Sequence, residues 1–140
     1  MIRKFKIDDL SDILQIWLDT NIKAHSFINK EYWINNFELV KEMLPNAEIY
    51  VYEHDNKIKG FIGLDNGYIA GIFVCDTYQS QGIGKKLLDK AKDIYSVLSL
   101  NVYEKNNNAI KFYEREGFLI KEKQTDVNNN ENEYVMIWKR

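Results

Sequence analysis

Ile2, Phe5 and Ile7 open the chain as a short apolar segment that suits a first strand. Leu10, Ile13, Leu14 and Trp17 then recur at i, i+3, i+4 and i+7, which predicts an amphipathic helix with one buried stripe. Asp8 or Asp9 is placed to cap it. A second helix is predicted from Lys30 to Met43, with Trp33, Phe37, Val40 and Leu44 on one side. It must end at or before Leu44, because Pro45 disfavours helical backbone at the residue before it.

From Ala47 the period drops to two. Ile49 and Val51 alternate with Tyr50 and Tyr52, as in a strand. His54-Asp55-Asn56-Lys57 and Asn66-Gly67 are turn signals, so strands near Ile58–Leu64 and Tyr68–Cys75 complete an antiparallel meander. The last of these is apolar on both faces, the mark of a central strand. Ile83, Leu87, Leu88, Ala91 and Ile94 return to helical spacing. Val97–Tyr103 alternates as a strand, and Asn106–Glu116 is a short helix with Gly117 as the residue that ends it. Phe118–Ile120 and Tyr134–Trp138 read as closing strands around an Asn128-Asn129-Asn130 loop. The order describes one domain, residues 1–140, with about seven strands in a mixed sheet and helices on both faces.

Composition narrows the function. The chain has 140 residues and is 45% hydrophobic, enough for a core without staples. Lys and Arg number 19 against 21 Asp and Glu, a net charge of −2. With no basic aromatic stripe, this speaks against nucleic-acid binding. Cys75 is the one cysteine, so an internal disulfide and a Cys-rich metal site are excluded, and no metal is expected. No apolar h-region follows Met1 and no run approaches a membrane span, so a cytoplasmic protein without membrane contact is expected.

The chemistry gathers in two clusters. Gln79-Ser80-Gln81-Gly82-Ile83-Gly84-Lys85-Lys86 lies where a strand hands over to a helix. Glycines there let the backbone approach a ligand, and the first-turn amides carry the positive end of the helix dipole. Such a turn is an anion site, and phosphate is the obvious guest. Lys85 and Lys86 oppose the dipole, a misfit that a bound anion would relieve. The dinucleotide pattern fails at Leu87, and the nucleotide P-loop pattern fails in its spacing. The second cluster is Asn106-x-x-Ala109-x-x-Phe112-Tyr113-x-x-x-Gly117-Phe118.

Together these clusters resemble the GNAT family, the Gcn5-related N-acetyltransferases. The resemblance follows the element order over nearly the whole chain and is specific in residues from Ile72 to Phe118. Within the family the sequence is most similar to small bacterial acetyltransferases of the YjaB type, through Ala24-His25-Ser26-Phe27, Glu31-Tyr32 and Asn101-Val102. The resemblance implies an α+β fold, an α/β three-layer arrangement with about seven strands flanked by about four helices. It implies acetyl-CoA as cofactor. Ile72, Phe73 and Val74 would offer backbone groups to the pantetheine arm. Gln79, Ser80, Gln81, Gly82, Ile83, Gly84 and Lys85 would hold the pyrophosphate, with Asn106 also on the cofactor. Tyr113 would stand beside the thioester sulfur.

Acyl transfer to an amine needs a neutral nucleophile, a donor for the oxyanion and a donor for the leaving thiolate. A phenol, with a reference pKa of about 10, is protonated at neutral pH and suits the last role. The catalytic assignment is therefore Tyr113, with His25 as the candidate base because its ordinary pKa is near neutrality. Many family members carry Glu on the strand before the second cluster, where this chain has Asn101, which takes no proton. Phe27, Tyr32, Tyr68 and Asn101 are placed at the acceptor side by family position. Two readings follow: an N-acetyltransferase acting on a small-molecule or peptide amine, as monomer or homodimer, or an acyl-CoA-binding regulatory module with little catalysis.

Overall fold

The computed structural model describes residues 1–79 and 81–140. In chain order the elements are β1 (Ile2–Lys4), α1 (Leu10–Ala24), α2 (Lys30–Met43), β2 (Glu48–His54), β3 (Lys57–Asp65), β4 (Tyr68–Val74), α3 (Ile83–Ile94), β5 (Val97–Tyr103), α4 (Asn107–Arg115), β6 (Leu119–Asp126) and β7 (Glu131–Lys139). The strands form one seven-stranded sheet in the order β1-β2-β3-β4-β5-β7-β6. Every neighbour pair is antiparallel except β4 and β5, which run parallel. This is the mixed, three-layer α+β arrangement the sequence predicts.

The two faces carry separate cores. Leu87, Leu88 and Ala91 of α3, with Tyr113 of α4 and Phe118, pack on Ile62, Leu64, Leu98, Leu100 and Met136. Ile13 and Ile16 of α1 pack on Ile49, Val51, Ile58 and Phe61 on the other face. Each such fully buried side chain stabilises the fold by roughly 1.5–3 kcal/mol. The helix α2 rides on α1, with Trp17 and Trp33 in edge contact at 6.0 Å. The turn signals are realised as left-handed residues at Asp55 and Asn56 and at Asn66 and Gly67.

Three local readings differ from the structure. Asp9 stands at the N-cap of α1 but makes no side-chain cap bond. Its carboxylate instead takes two guanidinium bonds from Arg3, at 2.8 and 2.9 Å, and the Lys6 amide at 2.8 Å. β6 is much longer than Phe118–Ile120, and β7 begins at Glu131 rather than Tyr134. β6 is an edge strand exposed over nearly its whole length, so no apolar alternation marks it in the sequence.

Candidate active site

The parallel junction of β4 and β5 is short. Only Tyr68 pairs with Ser99 and Ile69 with Leu100. Beyond these the strands part. The β3–β4 ladder shifts register at the same level: Gly63 faces Gly71 while Leu64 faces Ile69, so Ala70 is an extra residue in β4. A bulge bends its strand, which turns β4 away from β5. Residues 71–74 stay paired to β3 and leave their other edge free, so Ile72, Phe73 and Val74 are half-buried in the middle of the sheet. Backbone groups on such an edge need partners from water or a ligand.

At the far end of this gap the chain enters α3. Gly82 precedes the helix with φ +79°, and a Cβ placed on it would meet nothing within 4 Å. Gly84 lies against the ring of Phe112. No side chain caps α3 among the described residues, and the first amide seen bonded is that of Lys86, to the Gly82 carbonyl. The amides of Ile83, Gly84 and Lys85 are those a helix start leaves open. The Lys85 ammonium is tied to Glu116 at 3.0 Å, and Lys86 lies over the Tyr52 ring at 5.5 Å. Gln79 and Gln81 bond back to the carbonyls of Val74 and Thr77. Ser80, also assigned to the turn, lies outside the described residues.

Tyr113 of α4 is 8% exposed and packs edge-on to Phe112 and Phe118. Burial, and then the nearby Tyr68 phenol, hold its hydroxyl well above the ordinary tyrosine range. Asn106 caps α4 by taking the Ala109 amide on its Oδ1 at 3.3 Å. Its Nδ2 is then turned to His25 Nε2, also at 3.3 Å.

His25 therefore accepts at Nε2 and carries its proton on Nδ1, which is buried without a partner among the described residues. Its ring stacks on Trp33 at 5.3 Å and meets Tyr103 and Phe27 edge-on at 5.2 and 5.7 Å. Burial, opposed weakly by the Asn21 backbone, lowers its pKa to about 4. In this tautomer Nε2 is engaged by Asn106 and Nδ1 carries the proton, which weighs against the base role expected of His25. The residue serves as a wall between α1, α2 and the end of β5.

Tyr103 is the piece the sequence reading missed. Its ring touches His25 and Phe27, while its hydroxyl donates to Asp126 at the end of β6. Asn129 donates to the same Asp126 oxygen at 3.1 Å. Tyr103 thus joins the α1–α2 connection to the β6–β7 hairpin. Tyr32 stands behind this cluster, edge-on to Trp33 at 4.9 Å. Tyr68 and Asn101 lie on the same sheet face as Tyr103, and Asn101 is exposed although β5 is an inner strand.

Residues 45–120 match the family model described as Acetyltransferase (GNAT) domain. The peptidyl-lysine N-acetyltransferase YiaC of Escherichia coli strain K12 is 34% identical over 140 residues, covering 99% of this chain and 96% of its own. The chain belongs to the GNAT family. Two solved structures share its fold at a TM-score of 0.87. One is apo YjaB from Escherichia coli, 23% identical over 99% of this chain and 96% of that one. The other is the PaiA N-acetyltransferase of Thermoplasma acidophilum in complex with coenzyme A, 21% identical over 100% of this chain and 98% of that one.

As a GNAT enzyme this chain is an N-acetyltransferase that uses acetyl-CoA. Its own features fit that cofactor. The free edge of β4 would suit the amides of a pantetheine arm, and the open space at Gly82 would suit a pyrophosphate. A separate cleft of about 710 Å³ opens between α1 and the ends of β3 and β4, lined by Asp19, Lys59, Cys75 and Tyr78. Among the described residues it shares only Gln79 with the GNAT turn. Among the described residues no group of three or more His, Cys, Asp or Glu side chains is arranged to hold a metal ion. Among the described residues no helix is long and apolar enough to cross a membrane.

Proposed function

We propose that this enzyme acetylates lysine ε-amino groups on peptides or proteins, by direct transfer with Tyr113 as proton donor. The observation that carries the reading is the convergence of the β4–β5 gap with a buried tyrosine whose phenol stays protonated at neutral pH. The substrate class is supported by the peptidyl-lysine acetyltransferase that matches over nearly the full chain.

When bound, acetyl-CoA supplies the thioester carbonyl and the leaving thiolate. Ile72, Phe73 and Val74 hold the pantetheine arm through main-chain groups. A backbone N–H on that free edge would supply the donor for the thioester carbonyl oxygen, an effect of roughly 2.7–4 kcal/mol for one preorganised donor. Gln79, Gln81, Gly82, Ile83, Gly84 and Lys85 would hold the pyrophosphate, mainly through the backbone because Lys85 is already engaged by Glu116. Asn106 fixes the start of α4, and with it the direction of Tyr113. Tyr113 Oη gives its proton toward the sulfur side and regains one from the acceptor nitrogen. Cys75 takes no part: burial holds its thiol above the usual range, which disfavours the thiolate that an acyl-enzyme needs.

Phe27, Tyr32, Tyr68 and Asn101 border the acceptor. The test is a panel assay with acetyl-CoA, following thiol release and product mass. A blocked peptide with a single lysine gains one acetyl group. Turnover with spermidine but with no lysine peptide contradicts the substrate class.

A further inference from the structure

The sheet face opposite α3 and α4 is open over its second half. Tyr103 pairs with Glu133, Asn101 with Val135 and Ser99 with Ile137, which places all six on that face. Tyr68 joins them through its pairing with Ser99. Glu133 is the carboxylate that stands out there. It is half-buried, directly across the ladder from Tyr103, and its observed polar partner is the neutral amide of Gln124 at 2.7 Å. Its neighbours are all satisfied. Glu131 holds Lys105 at 3.2 Å, Glu104 holds Lys123 at 2.7 Å, and Asp126 is filled by Tyr103 and Asn129. No ion pair to Glu133 occurs among the described residues.

Directly opposite positions on a sheet bring side chains within about 5.5 Å of each other at Cβ, and diagonal ones within roughly 8 Å. Glu133 is thus beside Tyr103, which joins the two acceptor walls, and one diagonal step from Asn101. Its charge also reaches the Tyr68 phenol, which burial and Glu133 together hold above the ordinary range. Tyr68 in turn is felt by Tyr113. A negative charge without a cation therefore lies on the same path as the proton donor.

We infer that Glu133 captures the acceptor lysine ammonium and so sets the preference of this enzyme for a cationic amine. The inference rests on the lysine reading above. Glu133 acts before chemistry: it binds the protonated acceptor, and the proton is lost to solvent before the nitrogen attacks. A carboxylate stabilises the charged form of the amine, so its effect belongs in KM rather than in kcat.

The experiment compares wild type with Glu133→Gln on a blocked single-lysine peptide at saturating acetyl-CoA. Gln keeps the shape and a hydrogen bond to Gln124, so a purely structural role would leave both constants unmoved. The expected result is a KM raised about tenfold, as for loss of one charge-assisted contact, with kcat within about threefold. Glu133→Asp should recover part of the loss, and added salt should narrow the gap between wild type and Glu133→Gln. An unchanged KM in a variant with wild-type melting temperature overturns the inference. A large fall in kcat at constant KM does so too, since it makes Glu133 a base. If Glu133→Gln does not fold, Glu133→Asp carries the test through KM, where a value equal to wild type at every salt concentration overturns it. Turnover of lysine by wild type with a silent Glu133 leaves the substrate reading standing. Absence of lysine turnover removes both.

Discussion

Asn106 Nδ2 meets His25 Nε2 at 3.3 Å, so the residue that caps α4 also fixes the imidazole between α1 and α2. One side chain thereby ties the helix that carries Tyr113 to the connection between α1 and α2. The pairing uses the neutral imidazole, and protonation at Nε2 would turn acceptor into donor against an amide N–H₂.

Burial of His25 makes stability depend on pH. The folded pKa of His25, about 4, lies below its ordinary value of 6.5, so the unfolded chain binds the proton more readily. The His25 contribution is fully present above about pH 6.5 and is lost as pH falls toward 4. Between pH 7 and pH 5 it should amount to about 2 kcal/mol. Urea unfolding of wild type and His25→Gln at both pH values checks this. The variant should lose less stability over that interval, and equal losses would remove His25 as the source.

Tyr103→Phe keeps the ring against His25 and Phe27 but deletes the bond to Asp126. Hydrogen bonds to charged groups contribute about 1.5–3 kcal/mol, and Asp126 keeps Asn129 as a partner. A stability loss of about 1–2 kcal/mol is expected. The acceptor KM should rise while acetyl-CoA affinity stays at the wild-type value. Asp126→Asn should give the same pattern, and the double variant should be less than additive. Steady-state kinetics and thermal melts decide it.

The cofactor turn is tested at Gly82. Gly82→Asn keeps a residue that tolerates positive φ, and the space at the Cβ is open. Acetyl-CoA should still bind, within a few-fold by calorimetry. Gly82→Glu adds a negative charge beside the open amides and should abolish detectable binding in a folded protein. Equal binding by both variants would move the pyrophosphate elsewhere.

Much of this was legible in the chain itself. The periods of Leu10–Trp17 and Ile83–Ile94 gave the helices, because each buries one stripe against one sheet face. Asn66-Gly67 gave the turn into β4 because both residues adopt positive φ. The glycine pair and the Asn106–Phe118 cluster lie close together in sequence, so their joint site could be read in one dimension. On the acceptor side Phe27, Tyr32, Tyr68 and Asn101 were placed by family position alone, and the contacts around them were not legible. Tyr103 meets Asp126 and His25 only through long-range folding, and Glu133 finds Tyr103 only through the β5–β7 register. For His25 the residue type alone says nothing of burial, which lowers its pKa well below neutrality. The length of β6 beyond Ile120 escaped because an edge strand exposed on both faces has no apolar period.

The central claim, direct transfer with Tyr113 as proton donor, is tested most directly by Tyr113→Phe. The measurement is kcat on the single-lysine peptide across pH 7 to 10, alongside acetyl-CoA affinity. The account predicts a fall in kcat of roughly 10²-fold or more with affinity unchanged. It also predicts that wild type shows no loss of rate below pH 10, because burial keeps the phenol protonated beyond its usual range. A Tyr113→Phe enzyme with wild-type kcat, or a wild-type rate that declines well below pH 10, would contradict it.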